Sequence, residues 1–424
     1  MSVLAIRFCL LLGGLTYGLS AMTQSSDYPY ANPQYDFIHY DSNRIVFPGD
    51  SDSWENFLTG FSKLIREGDR QLSIVHIGGS HIQADIYSDR VRRRFQTFQP
   101  GNNAGRGLVF PYSVARTNNP SNYRVKYRGR WTSCKNTGKN RSCPLGLTGI
   151  SVTTRDSTAT ISIDFPEENR LSYDFNRLKV FYLGDSLSYD CGIQVETGIS
   201  ERRQSDSGIL TLTLDQHVDR LQLNLKRTNA SQVRFTLFGI SLETDDPGLV
   251  YHSIGVNGAK IPSYLRCTLL SEHLSVLSPD LVIISLGTND AYTRYFNSQT
   301  YKQNYTSLIQ TIRNTVPGAS IMLTVPNDSY LYRRYVNRNT EQARDVIMEL
   351  AEQYNCGVWD FYTIMGGLNS IIVWQRFGLA KRDRIHFTRK GYLLKGDLFF
   401  NAFLKSYDQY IDNINRAQNS KHRE

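Results

Sequence analysis

Long apolar runs are scarce in this chain of 424 residues. Only Phe8–Leu15 qualifies, near the N-terminus, and it is too short to cross a bilayer. No later segment approaches the length of a span, so no membrane-spanning helix is expected. Cysteine is sparse as well, at six residues, and no paired Cys/His spacing suggests zinc. His76, His81 and His252 with Asp85 match no metal motif either. Internal repeats and low-complexity tracts are missing, which argues against a solenoid or a disordered chain. No nucleic-acid motif accompanies the net charge of +9, so no nucleic-acid partner is expected. That charge instead suits an anionic polymer surface, while Arg92-Arg93-Arg94 and Arg333-Arg334 read as solvated helix faces.

What is present is ample apolar and aromatic material: 40% hydrophobic residues, with 26 Tyr and 20 Phe. Such amphipathic rings fill cores and also line sugar-binding surfaces. Arg7, the apolar stretch after it, and small residues at Gly18, Ser20 and Ala21 read as a signal peptide over 1–21. An exported protein, periplasmic or secreted, is therefore expected. Cys9 follows no lipoprotein-type box, so no lipid anchor is expected. Cys134 and Cys143 bracket a polar loop and are the disulfide candidates; Cys191, Cys267 and Cys356 read as buried thiols.

The chain divides by periodicity. Residues 22–52 form a polar, extended lead-in. From 53 to 119, a helix (Ser53–Glu67) precedes an apolar strand (Leu72–Ile77), a glycine turn and an amphipathic helix (Ile82–Phe98). Over 120–248 apolar and polar residues alternate, as in Ala159-Ile161-Ile163-Phe165 and Leu221-Leu223-Leu225, the period of half-buried antiparallel strands. We read this as an inserted β-sandwich domain leaving through Asp245-Asp246-Pro247-Gly248. Over 249–415 strand and helix alternate again, ending in a helix from Lys390 to about Tyr410, with a disordered tail at 416–424. The βα repetition predicts an α/β fold, a three-layer α/β/α sandwich around a parallel sheet.

Three short segments at the ends of predicted strands carry chemistry. Gly78-Gly79-Ser80-His81 puts a serine between strand and helix. Asp383-Arg384-Ile385-His386 spaces a carboxylate and an imidazole so that the acid can hold Nδ1–H while Nε2 faces a serine. Gly287-Thr288-Asn289-Asp290 adds a side-chain amide. A serine hydroxyl is a weak nucleophile without a neighbouring base, and the three segments together supply nucleophile, base, acid and oxyanion donor. Singly, Ser80 reads equally as a helix cap and Asp383–His386 as a polar loop; their joint occurrence favours a serine esterase.

On these segments the chain resembles the SGNH (GDSL-type) hydrolase superfamily. Gly78-Gly79-Ser80 matches its first block and Ser253-Ile254-Gly255-Val256-Asn257-Gly258 its second, with Gly258 or else Gly255 as main-chain donor. Gly287–Asp290 and Asp383–His386 match the third and fourth. Gly79 stands where the family usually has Asp. The resemblance implies a flavodoxin-like sheet, a catalytic triad of Ser80, Asp383 and His386, and an oxyanion hole of Ser80, Gly258 and Asn289. It implies no metal and no organic cofactor. Ser80-His81 after the glycines, the export signal and the insert are together similar to cell-wall glycan O-acetylesterases and O-acetyltransferases. An acetylated polysaccharide is then the expected partner, with His81, Asp290 and Trp131 as substrate-binding candidates; Tyr123 and Tyr127 are further stacking candidates. A silent glycan-binding protein is the alternative outside enzymes.

Overall fold

The computed structural model describes residues 32–138, 143–166, 171–205 and 208–421. The expected signal peptide and the start of the lead-in lie outside the described residues, which from Asn32 onward form one compact unit. The site is built on a six-stranded sheet. Its order is Ile45–Val46, Gly357–Trp359, Ser320–Thr324, Leu281–Ser285, Gln71–Gly78, Gly248–Gly255. Ile45–Val46 pairs antiparallel with Gly357–Trp359, and the other five strands are parallel. The parallel strands therefore run 2-1-3-4-5 in chain order, the flavodoxin-like arrangement expected. Apolar runs such as Leu281-Val282-Ile283-Ile284 are buried on both faces, as a parallel sheet covered by helices requires.

Register lines up the strand ends that matter. Gly78 sits opposite Gly255 on one side and Ser285 on the other. The chain reverses its strand order between Gln71–Gly78 and Leu281–Ser285, so a crevice opens above their carboxyl ends. Helices Asp52–Glu67, Ser298–Thr315, Asn339–Gln353 and Arg389–Lys421 flank the sheet through apolar faces.

The alternating region is antiparallel, in two sheets. One has seven strands, running Ile199–Gln204, Ile209–Val218, Phe175–Tyr182, Phe235–Glu243, Ile150–Thr154, Trp131–Lys135, with Gly107–Val109 also paired to Phe235–Glu243. The other has four: Arg124–Arg128, Thr158–Asp164, Arg220–Lys226 and Asp190–Gln194. Gly107–Val109 lies before residue 120; three residues show no alternation, so its pairing carried no sequence signal. Buried residues of both sheets share one apolar cluster with Val75, Ile77, Val282 and Ile284 of the parallel sheet.

Four expectations change. The helix over Ile82–Phe98 is interrupted: Ser80–Gln83 and Tyr87–Gln96 are separate, with Asp85 at φ 45° between them. The break serves a buried ion network, in which Asp85 accepts from Arg92, Arg106 and Asn122. Burial opposes ionisation, but the two guanidinium groups outweigh it and hold the carboxyl far below its ordinary range. Arg92 is accordingly buried rather than solvated, while Arg93 pairs with Asp89 and Arg94 with Asp397. Arg333-Arg334 lies in a hairpin, not on a helix. The last helix continues to Lys421, through most of the segment expected as a disordered tail. Cys134 and Cys143 are disulfide-bonded, and Cys191, Cys267 and Cys356 are buried, as expected.

Candidate active site

Ser80 opens the short helix Ser80–Gln83 immediately after the strand Gln71–Gly78. The first N–H groups of a helix have no partner within it, so the Ser80 amide is offered to the crevice. Tyr264 Oη donates to the Gly78 carbonyl at 2.8 Å and fixes the strand end below it. Ser80 Oγ lies 2.9 Å from His386 Nε2, and His386 Nδ1 lies 2.9 Å from Asp383 Oδ2. The other carboxylate oxygen, Oδ1, accepts from the backbone N–H groups of Ile385 and His386, each at 3.0 Å. Burial pushes the Asp383 carboxyl up, but these backbone and imidazole donors win and hold it below its ordinary value. The acid is therefore ionised wherever His386 is to act as a base.

Asn289 sits in the helical turn Thr288–Ala291 after Leu281–Ser285, and its Nδ2 donates to the Ala259 carbonyl at 3.0 Å. A primary amide has two N–H bonds; one anchors the side chain and the other can be given to a ligand. The second-block glycines differ in their surroundings. A Cβ at Gly255 would meet Gln83 N at 2.2 Å, so that glycine lets two backbones touch. Gly258, at φ 79°, has open space where its Cβ would be, and its exposed turn faces outward. A Cβ at Gly79 would stand 3.2 Å from Asn289 Nδ2, so a larger residue there crowds the amide.

The substrate-binding candidates fare differently. His81 is buried; its ring lies 5.1 Å from that of His386 and its Nδ1 pairs with Tyr392 Oη at 2.9 Å. Burial first, then the Lys395 ammonium, push its pKa well below the imidazole range. A neutral His81 places no second charge beside His386 when that ring is protonated. Trp131 does not join the group: it is buried in the antiparallel strand Trp131–Lys135, its indole N–H bonded to the Arg128 carbonyl. Tyr123 is also buried, and bonds Phe110. Asp290 accepts from the Ile261 N–H at 3.1 Å, tying the Asn289 turn to the chain after Gly258.

Burial pushes the Asp290 carboxyl up to about 6. A group that holds its proton more tightly when folded destabilises the fold as pH rises from the ordinary carboxylate range through that value. Asp290→Asn keeps an oxygen for Ile261 and removes the titration. Its melting temperature should exceed that of the wild type at about pH 7, and the two should converge toward about pH 4. Calorimetry across that range is the check; an offset independent of pH would refute it.

Sequence reasoning missed Gln83. Its Oε1 accepts from the Asn257 N–H at 2.7 Å, and its Nε2 donates to Thr117 Oγ1 and to Asn118. It thus braces the Gly258 turn from the serine's own helix. Its position three residues after Ser80 was the only available clue, since Thr117 and Asn257 are remote in sequence.

The GDSL-like lipase/acylhydrolase family model matches residues 182–394, half of the sequence. The chain belongs to that family. It is accordingly an ester hydrolase of the serine type. Among curated proteins none matches the sequence. Among solved structures, this GDSL-like chain is similar to a peptidoglycan O-acetylesterase, with a TM-score of 0.72 and 20% identity over 86% of this chain and 99% of that one. A lipase/acylhydrolase from Enterococcus faecalis is 23% identical over 36% of this chain and 74% of its own, with a TM-score of 0.30. The acetylxylan esterase Axe2 from Geobacillus stearothermophilus is 21% identical over 38% and 73%, with a TM-score of 0.31.

The family match starts at Tyr182 and leaves out Ser80. Just inside it lies Gly184-Asp185-Ser186-Leu187, a literal GDSL string among the alternating strands, which sequence reasoning missed. Ser186 is exposed in the connection between the antiparallel strands Phe175–Tyr182 and Asp190–Gln194. Asp185 beside it is engaged by Arg234, Ser188 and the Leu187 N–H. Among the described residues, no hydrogen bond joins Ser186 to a histidine. Ser80 has that bond.

Proposed function

We propose that the chain is an exported esterase that removes O-acetyl groups from a polysaccharide, peptidoglycan being the first choice. The observation that carries the reading is the unbroken line from Ser80 Oγ through His386 to Asp383. Ser80 Oγ attacks the acetyl carbonyl carbon as His386 Nε2 takes the hydroxyl proton. The oxygen that becomes negative is held by the Ser80 N–H, the Gly258 N–H and the second N–H of Asn289. Collapse breaks the bond to the sugar oxygen, which leaves with the proton from His386. A water then gives its proton to His386 and attacks the acetyl-serine, releasing acetate and restoring Ser80. Asp383 stays ionised throughout and stabilises the imidazolium.

The open surroundings of Gly258 and the packed ones of Gly255 support the former as donor. The choice of an acetylated polysaccharide draws on the likeness to the peptidoglycan O-acetylesterase over nearly all of that chain, and on the signal-like N-terminus. The test is acetate release from acetylated peptidoglycan and acetylated xylan by wild type beside Ser80→Ala. Serine-dependent release from peptidoglycan supports the reading, and release from xylan alone moves the substrate. No release from either, with folded protein, refutes it and turns attention to acetyl transfer or to binding without turnover.

A further inference from the structure

The hairpin at 330–336 is built in an unusual way. Strands of two residues pair Tyr330 with Val336 and Leu331 with Tyr335, and the turn is closed by Arg334 N–H to the Leu331 carbonyl at 3.0 Å. Its two central residues, Tyr332 and Arg333, have φ of 52° and 63°. Mirror-image hairpin turns demand positive φ and are ordinarily made by Asn and Gly. Bulky side chains in that region are strained, and such strain persists only where the surroundings impose it.

Here the surroundings are the triad segment. Arg384, between Asp383 and His386 and itself at φ 57°, donates from Nη1 to the Arg333 carbonyl at 2.9 Å. Its carbonyl accepts from Tyr330 N–H at 3.0 Å, and its guanidinium lies 5.0 Å from the Tyr330 ring centre. The other clamp is the chain just after Asn289. Tyr292 Oη accepts from the Tyr332 N–H at 2.8 Å, and the Arg294 guanidinium stands 5.4 Å from the Tyr332 ring centre.

The strained turn thus holds large side chains out in water beside the site. Tyr295 is 90% exposed, Tyr335 57% and Tyr332 51%, among the most exposed large rings of the described residues. Arg294, Arg333 and Arg334 are exposed as well, and no carboxylate pairs with them among the described residues. The acids nearest in sequence are committed elsewhere, Asp290 to Ile261, Asp328 to Ile371 and Glu341 to Arg338. Tyrosine faces stack on the apolar faces of sugar rings while the phenol stays wet, and guanidinium forks grip carboxylates.

We propose that this tyrosine–arginine hairpin, with Arg294 and Tyr295, docks an anionic polysaccharide chain and presents it to the neighbouring serine site. The inference rests on the esterase reading for the ester presented, but docking itself is measured without turnover. In the inactive Ser80→Ala background, binding to insoluble peptidoglycan is followed by sedimentation, with cellulose as the uncharged polymer. Arg294→Gln/Tyr295→Ser and Arg333→Gln/Arg334→Gln alter only exposed side chains; each pair should weaken peptidoglycan binding at least about fivefold, and added salt should weaken the parent likewise. In the Ser80 enzyme, the ratio of polymer to small-ester turnover should fall with binding. Undiminished peptidoglycan binding by both variants would overturn the proposal. So would equal binding to cellulose, tighter binding to anionic phospholipid vesicles, or a parallel loss on the small ester. Absence of any Ser80-dependent acetate release, with hairpin-dependent binding intact, refutes the esterase reading alone.

Discussion

Ser80→Ala should lower the rate of hydrolysis of a small acetyl ester at least about a thousandfold, since removal of a triad nucleophile leaves only binding and the oxyanion hole. Ser186→Ala should leave that rate unchanged. The pair of variants matters because two serines compete for the role on different grounds. Ser186 has the family's sequence string and lies inside the matched region. Ser80 has the histidine, at 2.9 Å, and stands where the strand order of the sheet reverses. A nucleophile needs a base in reach, which sequence similarity does not supply. Initial rates with a chromogenic acetyl ester, on variants whose circular dichroism matches wild type, decide it. An inactive Ser186→Ala beside an active Ser80→Ala would move the nucleophile to the antiparallel region and dissolve the proposed mechanism.

The blocks around the site were legible because each follows a feature that sequence displays directly. Leu72–Ile77 and Leu281–Leu286 are short, mostly apolar runs ended by glycine, and the strands found there are Gln71–Gly78 and Leu281–Ser285. Alternation exposed the antiparallel strands equally well, down to Thr158–Asp164 and Arg220–Lys226. What stayed hidden depends on partners far along the chain. The break at Asp85 exists because Arg106 and Asn122 converge on that carboxylate, which no local pattern announces. Arg92 looked solvated beside two other arginines, yet only Arg92 turns inward, toward Asp85 and Tyr173. The 330–336 hairpin has strands too short for any period and turn residues that usually avoid positive φ. Trp131 showed its residue type but not its burial.

Asp383→Asn should be nearly as damaging as loss of the serine, at about 10³- to 10⁴-fold in kcat, while the fold stays intact. The asymmetry of the two carboxylate oxygens gives the reason. Oδ1 accepts from the Ile385 and His386 N–H groups and so keeps the turn. An asparagine oxygen can take over that task, which directs its NH₂ group at His386 Nδ1, where Asp383 now places Oδ2. The imidazole must then accept at Nδ1 and carry its proton on Nε2, facing Ser80 Oγ as a donor. In that tautomer it has no lone pair for the serine proton, and the charged form loses its counter-ion. Rate should recover partly as pH rises and hydroxide takes the proton instead, so the variant's pH–rate profile should slope upward where the wild type is level. Protonation of Asp383 should not limit wild-type activity on the acid side, since its donors hold the carboxyl below the ordinary carboxylate range. A variant with unchanged kcat, or one whose loss is matched by a fall in melting temperature, would reduce Asp383 to a turn-forming residue.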